Sequence, residues 1–170
     1  MSLTFLLGGA RSGKSALAVD LARAWGGPVT FVATAEAGDE EMAERIRLHR
    51  SERPPEWVTV EAPLDVRGAF EAAPLEAAIV LDCLSLWVSN LLLRGEPPAE
   101  IEREGAALSG LAARRGALTV VVSNEVGLGV VPANELGRRF RDVLGRINAR
   151  WAADADHAAF VVAGRSLTLS

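Results

Sequence analysis

Gly8-Gly9-Ala10-Arg11-Ser12-Gly13-Lys14-Ser15 is the stretch around which the rest of the sequence is organised. It follows an apolar run at residues 3–7 and precedes a stretch with helical spacing of its apolar residues. The order strand, glycine-rich loop and helix, with the spacing G-x-x-x-x-G-K-S, is typical of a phosphate-binding loop. Its backbone N–H groups and the start of the following helix face phosphate oxygens. The stretch predicts a nucleoside triphosphate site in which Lys14 reaches the β- and γ-phosphates and the Ser15 hydroxyl binds Mg²⁺.

The composition is that of a globular protein. Of its 170 residues, 49% are hydrophobic and 24% are charged, from which we expect a single domain over residues 1–170. The net charge of −4 argues against nucleic acid as a partner. A single cysteine, Cys83, excludes an internal disulfide and fits a reducing compartment. We find no basic leader and no apolar run long enough to span a bilayer, so we expect a cytoplasmic protein.

Strand and helix patterns alternate along the sequence. Strands are predicted at residues 3–7, 29–33, 57–60, 77–82, 118–123, 158–162 and 167–169. Helices are predicted at residues 15–25, 39–52, 64–73, 84–93, 99–115 and 134–153. The alternation predicts an α/β fold of the P-loop NTPase type, with a mostly parallel sheet, helices on both faces and room for an antiparallel edge strand.

Several residues are predicted to lie at the carboxyl edge of this sheet, where ligands bind in open α/β folds. Asp82 ends an apolar strand, and a carboxylate in that position usually faces the Mg²⁺ of a phosphate-binding loop. The alternative role for Asp82 is to cap the helix that follows it. Ala33, Thr34 and Ala35 end a second strand, and their backbone is therefore predicted to border the nucleotide.

Glu61 follows the strand predicted at residues 57–60. Its carboxylate could accept hydrogen bonds from the edge of a guanine or from a ribose, or it could be an ordinary surface residue. The sequence lacks the Asn-Lys-x-Asp motif with which GTPases recognise guanine, so no motif identifies the base.

The helix predicted at residues 39–52 combines a histidine with several arginines. His49 shares one face with Met42, Arg45 and Ile46 by helical spacing. Its imidazole is mostly neutral near pH 7, and neighbouring guanidinium groups favour that form. A neutral imidazole can attack phosphorus while arginines hold the phosphate oxygens. From these residues alone, however, a solvated charged helix is the simpler interpretation.

Two apolar segments are candidates for contact with a ligand or a neighbouring subunit. The loop at residues 124–132 carries four apolar side chains between glycines, which indicates a bulky ligand or a neighbouring subunit, although it could also pack beneath its own helix. The helix predicted at residues 84–93 is apolar around most of its circumference and raises the same possibility of an intersubunit face.

Four segments together resemble one family. They are GGARSGKS at residues 8–15, GDEEMAERIRLHRSERPPEW at 38–57, LDCLSLWVSNLL at 81–92 and SNEVGLGVVPANELGRRFRDVLGRINARWA at 123–152. They are similar to the bifunctional adenosylcobinamide kinase / adenosylcobinamide-phosphate guanylyltransferase family, which assembles the nucleotide loop of cobalamin. The NEVGxGxVP and RIxxHxxxRP patterns are specific to that family, whereas many families share the phosphate-binding loop. The resemblance extends from about residue 3 to residue 164.

The resemblance implies two reactions. ATP or GTP first phosphorylates the hydroxyl of the aminopropanol arm of adenosylcobinamide. GTP then guanylylates an enzyme histidine with release of pyrophosphate, and adenosylcobinamide phosphate takes the GMP to give adenosylcobinamide-GDP. The guanylylated histidine of the family matches His49, which replaces the simpler interpretation of its helix.

The resemblance also extends the set of expected site residues. Besides the phosphate-binding loop, nucleotide contacts are implied for Ala33, Thr34, Ala35, Arg50, Ser51, Glu52, Arg53, Glu61 and Asp82. Lys14 and His49 would be catalytic, and Ser15 and Asp82 would hold Mg²⁺, although some relatives carry Glu in place of Asp82. Family members look like homotrimers, which would cover the helix at residues 84–93. The alternatives are a single-function P-loop kinase in which His49 only binds phosphate, and a nucleotide-binding module without turnover.

Overall fold

The computed structural model describes residues 3–38, 40–51 and 53–169, without the side chains of Glu41, Met42, Arg45 and His49. Its strands are β1 (Leu3–Gly8), β2 (Val29–Ala33), β3 (Val58–Glu61), β4 (Ala78–Asp82), β5 (Thr119–Asn124), β6 (His157–Val162) and β7 (Arg165–Thr168). Its helices are α1 (Lys14–Trp25), α2 (Glu40–Ser51), α3 (Val66–Ala72), α4 (Leu84–Leu93), α5 (Pro98–Ala113) and α6 (Glu135–Asp154). The predicted elements are all found, with bounds shifted by no more than about two residues.

The strands form one sheet in the order β3-β2-β4-β5-β1-β6-β7. The pairings are parallel except for β6 with β7, which is antiparallel. β4 begins with four buried residues and β5 with five, as expected for central parallel strands that are covered on both faces. The predicted fold class, a mostly parallel α/β sheet with an antiparallel edge, is confirmed.

The two faces of the sheet are covered differently. α1 packs on one face through the small, fully buried side chains of Ala18 and Ala22. Trp25, which shares a helical face with Leu17 and Leu21, is 41% exposed and does not anchor this contact. The opposite face carries the larger core, to which α3, α4, α5 and α6 contribute buried side chains that include Trp87 and Trp151.

The apolar helix α4 lies inside this larger core. Leu84, Trp87 and Val88 are at most 1% exposed, and Trp87 Nε1 donates a 2.9 Å hydrogen bond to the Leu64 carbonyl. Only the end of the helix, at Leu93, presents a large apolar side chain at 69% exposure. The expectation that α4 offers an apolar face to a neighbouring subunit is therefore wrong, because a helix that is apolar on nearly all sides is buried by its own chain.

The loop between β5 and α6 is the segment that does expose apolar side chains. Leu128 and Val130 are 83% and 95% exposed, whereas Val126 is half-buried against the larger core. Packing of the whole loop beneath its own helix, one of the two sequence-based alternatives, is thus not observed. Among the described residues, no helix is both long and apolar enough to cross a membrane.

Candidate active site

The phosphate-binding loop joins β1 to α1 and is shaped by two of its glycines. A side chain at Gly8 would place its Cβ 2.2 Å from the carbonyl oxygen of Val161, so β1 and β6 can pair closely only with glycine there. Gly13 has a φ of 100°, a conformation that side chains disfavour, and it caps α1. Gly8 is therefore required by the close approach of β1 to β6, and Gly13 by its positive φ angle.

Lys14 folds back over this loop. Its side chain is buried, and Nζ donates to the Gly9 carbonyl at 2.6 Å and to Ser12 Oγ at 3.3 Å. The N-cap of α1 makes no side-chain hydrogen bond, and the first turn contains no acidic residue. The first N–H groups of α1 and the Lys14 ammonium consequently form a positively charged cradle of the kind that binds phosphate.

The turn between β6 and β7 supports the loop from behind. The Gly164 N–H donates a 2.9 Å hydrogen bond to the carbonyl of Ser12. Because C=O and N–H point in opposite directions in a trans peptide, the Gly13 N–H points away from Gly164. Ala163 and Gly164 make the tight turn with φ angles of 50° and 71°.

Three predicted residues form a row across neighbouring strands at the carboxyl edge of the sheet. Ala33 of β2 is paired in register with Glu61 of β3 on one side and with Asp82 of β4 on the other. This row and the phosphate-binding loop border one cleft of about 1030 Å³. The predicted site residues that line it are Ala10, Arg11, Ser12, Gly13, Lys14, Ser15, Ala33, Ala35, Arg50, Arg53, Glu61 and Asp82.

Four of the remaining predicted residues are described by the structure and do not line the cleft: Gly8, Gly9, Thr34 and Ser51. Gly8, Gly9 and Ser51 have structural roles, the first two in the loop described above and Ser51 through a 2.7 Å hydrogen bond from Oγ to the Leu48 carbonyl. Glu52 lies outside the described residues.

Thr34 is fully buried below the cleft surface. Its hydroxyl donates to the Cys83 carbonyl and accepts from the Cys83 N–H, both at 2.8 Å, and its N–H donates to the Asp82 carbonyl at 3.2 Å. The buried amide of Asn90 donates to the Thr34 carbonyl at 2.9 Å. Thr34 therefore holds the end of β4 in place and is not exposed to a ligand.

Helix α2 lines the same cleft as the phosphate-binding loop. Leu48 and Arg50 line the cleft, and His49 lies between them in the helix, although its side chain is outside the described part. Arg50 forms an exposed 3.6 Å ion pair with Glu61. Just beyond the helix, the Arg53 guanidinium stacks 3.6 Å from the ring centre of Phe31. The carboxyl end of α2 is thus tied to β2 and β3 beside the row at the sheet edge.

The cleft offers oxygen ligands suited to a magnesium ion. The Asp82 carboxylate and the Ser15 hydroxyl line the same cleft, and Mg²⁺ in nucleotide sites is bound by one or two such groups together with phosphates and water. The residue that caps α4 is Cys83, without a side-chain hydrogen bond, so Asp82 is not used as the helix cap that the sequence also allowed. The donor set fits the expected ion.

Cys83 also borders the cleft, but its thiol is protonated and therefore a poor nucleophile. Burial, with a smaller contribution from the charge of Asp82, raises the pKa of its thiol to about 11. Because the thiol stays protonated at neutral pH, it cannot serve as a thiolate nucleophile.

A second depression of about 690 Å³ lies at the opposite edge of the sheet, near Trp25, Leu75 and Arg114. It is remote from the phosphate-binding loop and from the strand ends where ligands of α/β folds bind. We therefore assign the site to the larger cleft.

Comparison with known families shows to which family the chain belongs. A family model described as cobinamide kinase / cobinamide phosphate guanyltransferase matches residues 4–169. The chain belongs to this family. The resemblance inferred from the four sequence segments is confirmed, as is the expectation of an enzyme of this bifunctional family.

Curated relatives extend the match over nearly the whole chain. The bifunctional adenosylcobalamin biosynthesis protein CobP of Pseudomonas aeruginosa is 43% identical over 165 residues, covering 96% of this chain and 95% of that protein. The bifunctional adenosylcobalamin biosynthesis proteins CobU of Salmonella typhimurium and Escherichia coli are 41% and 38% identical, each over 95% of this chain and 96% of the relative. A family of kinases and guanylyltransferases implies nucleotide substrates, in agreement with the phosphate-binding cleft.

Several cleft residues were not predicted from the sequence. Ser85, Leu86 and Asn124 belong to or adjoin the cleft wall near Asp82. Asn124 carried a usable signal, because it is the polar residue that ends a buried parallel strand, as Asp82 does. Ser85 carried none, since only folding brings the first turn of α4 beside β5.

Proposed function

We propose that the chain phosphorylates adenosylcobinamide with ATP or GTP and then converts the product to adenosylcobinamide-GDP with GMP from GTP. The observation that carries this proposal is one cleft that is lined both by the phosphate-binding loop and by residues of the helix that carries His49. A single triphosphate bound in this cleft could be attacked by different nucleophiles at two different phosphorus atoms.

In the kinase step, the acceptor is the hydroxyl of the aminopropanol arm. Lys14 and the N–H groups at the start of α1 hold the β- and γ-phosphates, and Ser15 and Asp82 hold Mg²⁺, which supplies further neutralisation of phosphate charge. Phosphoryl transfer needs mainly positioning and electrostatic stabilisation, for which these groups suffice. No side chain has to become covalently modified in this step.

In the guanylyl step, a nitrogen of the neutral His49 imidazole attacks the α-phosphorus of GTP. The N–P bond forms as the bond to the α,β-bridging oxygen breaks, and pyrophosphate leaves. A phosphate oxygen of adenosylcobinamide phosphate then attacks the same phosphorus, and the imidazole is the leaving group. The covalent intermediate divides one displacement into two easier ones.

Selection of guanine is assigned to the row at the sheet edge. Glu61 would accept hydrogen bonds from the N1–H and exocyclic amine of guanine, while Arg50 and Arg53 contact phosphate or ribose oxygens. The support is the position of Glu61 beside Ala33 in the cleft and its ion pair with Arg50, which shows that a cationic donor already reaches this carboxylate.

The proposed assembly is a homotrimer of single-domain subunits in the cytoplasm. The exposed apolar loop around Leu128 and Val130, rather than α4, is the surface that such an assembly or the corrinoid would cover. Light scattering on the purified protein measures the subunit number directly.

Product analysis tests the proposed function. The purified protein, with Mg²⁺, adenosylcobinamide and γ-labelled ATP, is expected to give labelled adenosylcobinamide phosphate. With GTP and adenosylcobinamide phosphate it should release pyrophosphate and form adenosylcobinamide-GDP. Phosphorylation without GMP transfer would instead identify a single-function kinase, and nucleotide binding without either product would identify a binding module.

A further inference from the structure

Asn124 is a cleft residue to which the two proposed reactions have given no role. It ends β5, is paired in register with Gly8 at the start of the phosphate-binding loop, and lines the same cleft as Lys14 and Asp82. It is half-buried, so its side chain is both supported by the protein and accessible to a ligand.

Hydrogen bonds from two helices fix the orientation of Asn124. Its side-chain Nδ2 donates to Ser85 Oγ of α4 at 2.9 Å. Its main-chain carbonyl accepts from Asn148 Nδ2 of α6 at 3.1 Å, and Asn148 Oδ1 accepts from the buried Ser123 hydroxyl at 2.6 Å. One of the two N–H groups of the amide is thereby used within the protein and orients the side chain, and within the described residues no donor bonds to the amide oxygen.

An amide oxygen in this position restricts what can lie beside it. The oxygen is an acceptor only, and ionised phosphate oxygens are acceptors as well, so the two cannot hydrogen-bond to each other. Once a ligand displaces water from this acceptor, leaving it without a donor costs about 1–3 kcal/mol. The group next to Asn124 Oδ1 in the loaded cleft must therefore carry a hydrogen.

We infer that Asn124 Oδ1 accepts a hydrogen bond from the hydroxyl of the phosphoryl acceptor and aims the oxygen lone pair at the γ-phosphorus. The inference rests on the proposed function and makes Asn124 a catalytic residue of the kinase step. The alcohol oxygen forms the new P–O bond, the bond to the β,γ-bridging oxygen breaks, and the nucleoside diphosphate leaves. An amide is not a base, so the hydroxyl proton passes to a phosphoryl oxygen and then to water.

The proposed role of Asn124 applies to only one of the two reactions, because the attacking atoms of the two reactions differ. The acceptor alcohol carries a hydrogen on its attacking atom. A neutral imidazole attacks through a lone pair without a hydrogen, and an ionised phosphate oxygen carries none. Asn124 thus contributes to transfer of the γ-phosphoryl group and contributes little to either half of GMP transfer.

The test compares the two reactions in Asn124→Leu, which keeps similar side-chain volume and removes the amide. We expect kcat for phosphorylation of adenosylcobinamide to fall about 10–100-fold, as for a misdirected attacking group. The KM for ATP and the rate of protein labelling by α-labelled GTP should remain within about twofold of the wild-type values. Leu75→Ala, which truncates an exposed side chain at the opposite edge of the sheet, is the control and should keep both activities.

Two outcomes would overturn the inference. One is an unchanged kinase rate in Asn124→Leu. The other is an equal fall in both reactions, which would indicate a water of the metal ion or general support of the nucleotide as the partner of Oδ1. Asn124→Ala provides the same comparison if the leucine variant does not fold. A wild-type protein that forms neither product would contradict the proposed function itself, and is thereby distinguished from a failure of the role of Asn124.

Discussion

The phosphate-binding loop and helix α2 border the same cleft but are held in it by different means. The loop is fixed through its backbone, by the close approach of Gly8 to Val161 and by the hydrogen bond from Gly164 to Ser12. None of the described side chains of α2 belongs to the buried core, and their polar contacts, such as the Arg50–Glu61 pair, lie at the surface.

This difference in how the two walls are held suggests that they have different roles. The wall proposed to receive the triphosphate is part of the central sheet, so its geometry is as stable as the fold. The described contacts of the wall that carries His49 are of small free energy, because exposed ion pairs such as Arg50–Glu61 contribute only about 0–1 kcal/mol each. Helices with few buried apolar contacts open locally at lower cost than core elements. Substitutions on the two walls should therefore have separable effects.

The largest effect is expected for Lys14→Ala on the loop wall. Loss of its charge should lower both the kinase and the guanylyl-transfer rates by about 10²–10³-fold, because both reactions use the same phosphate cradle. Steady-state assays of both products measure it, with Arg23→Ala on the exposed side of α1 as the control. Full retention of one activity would mean that the two reactions use different nucleotide sites.

The next effect concerns the backbone support of the loop. Gly8→Ala should destabilise the protein by about 1–3 kcal/mol, because its Cβ would force β1 away from β6. Gly9→Ala is the matched control, since a Cβ at that glycine has no atom within 4 Å. Urea denaturation of the two variants makes the comparison, and equal stabilities would contradict the close approach at Gly8.

A smaller effect is expected for Thr34→Val, which keeps the side-chain shape and removes the hydroxyl that binds Cys83. The buried N–H and C=O of Cys83 would lose a partner, at a cost of about 1–3 kcal/mol in unfolding free energy. Thr34→Ser retains the hydroxyl and should lie closer to the wild type. If serine and valine are equally destabilising, the methyl packing of Thr34 matters more than its hydrogen bonds.

The smallest effect on stability is expected at the junction of α2 with the sheet. Glu61→Gln removes the charge that pairs with Arg50 and should change the unfolding free energy by less than about 1 kcal/mol. Its effect on recognition should be larger, with a raised KM for GTP and an unchanged KM for ATP in the kinase step. Equal changes for both nucleotides would contradict the assignment of Glu61 to guanine.

The sequence was most informative where a local pattern has a local cause. The loop spacing, the strand and helix periods and the strand-end position of Asp82 all depend on neighbouring residues, and the structure agrees with each of them. The burial of α4 could also have been anticipated, because its apolar residues surround the helix rather than form a stripe.

Long-range contacts could not be predicted in this way. The support that Gly164 gives to Ser12 spans most of the chain, and the bond from Asn124 to Ser85 joins two elements whose proximity depends on strand order. Thr34 was expected at the nucleotide because it follows a strand, yet its side chain points into the protein. For His49, residue chemistry alone favoured an ordinary solvated helix, and only the family pattern indicated a nucleophile.

Labelling of the protein with α-labelled GTP tests the central claim, that one triphosphate site serves a nucleophile on α2, most directly. We expect a covalent label that is labile in acid and stable in base, as for a phosphoramidate. His49→Ala should abolish the label and keep kinase activity, whereas His157→Ala, at the only other histidine of the chain, should keep both. Full labelling of His49→Ala would contradict the account, and so would equal loss of labelling and kinase activity in that variant.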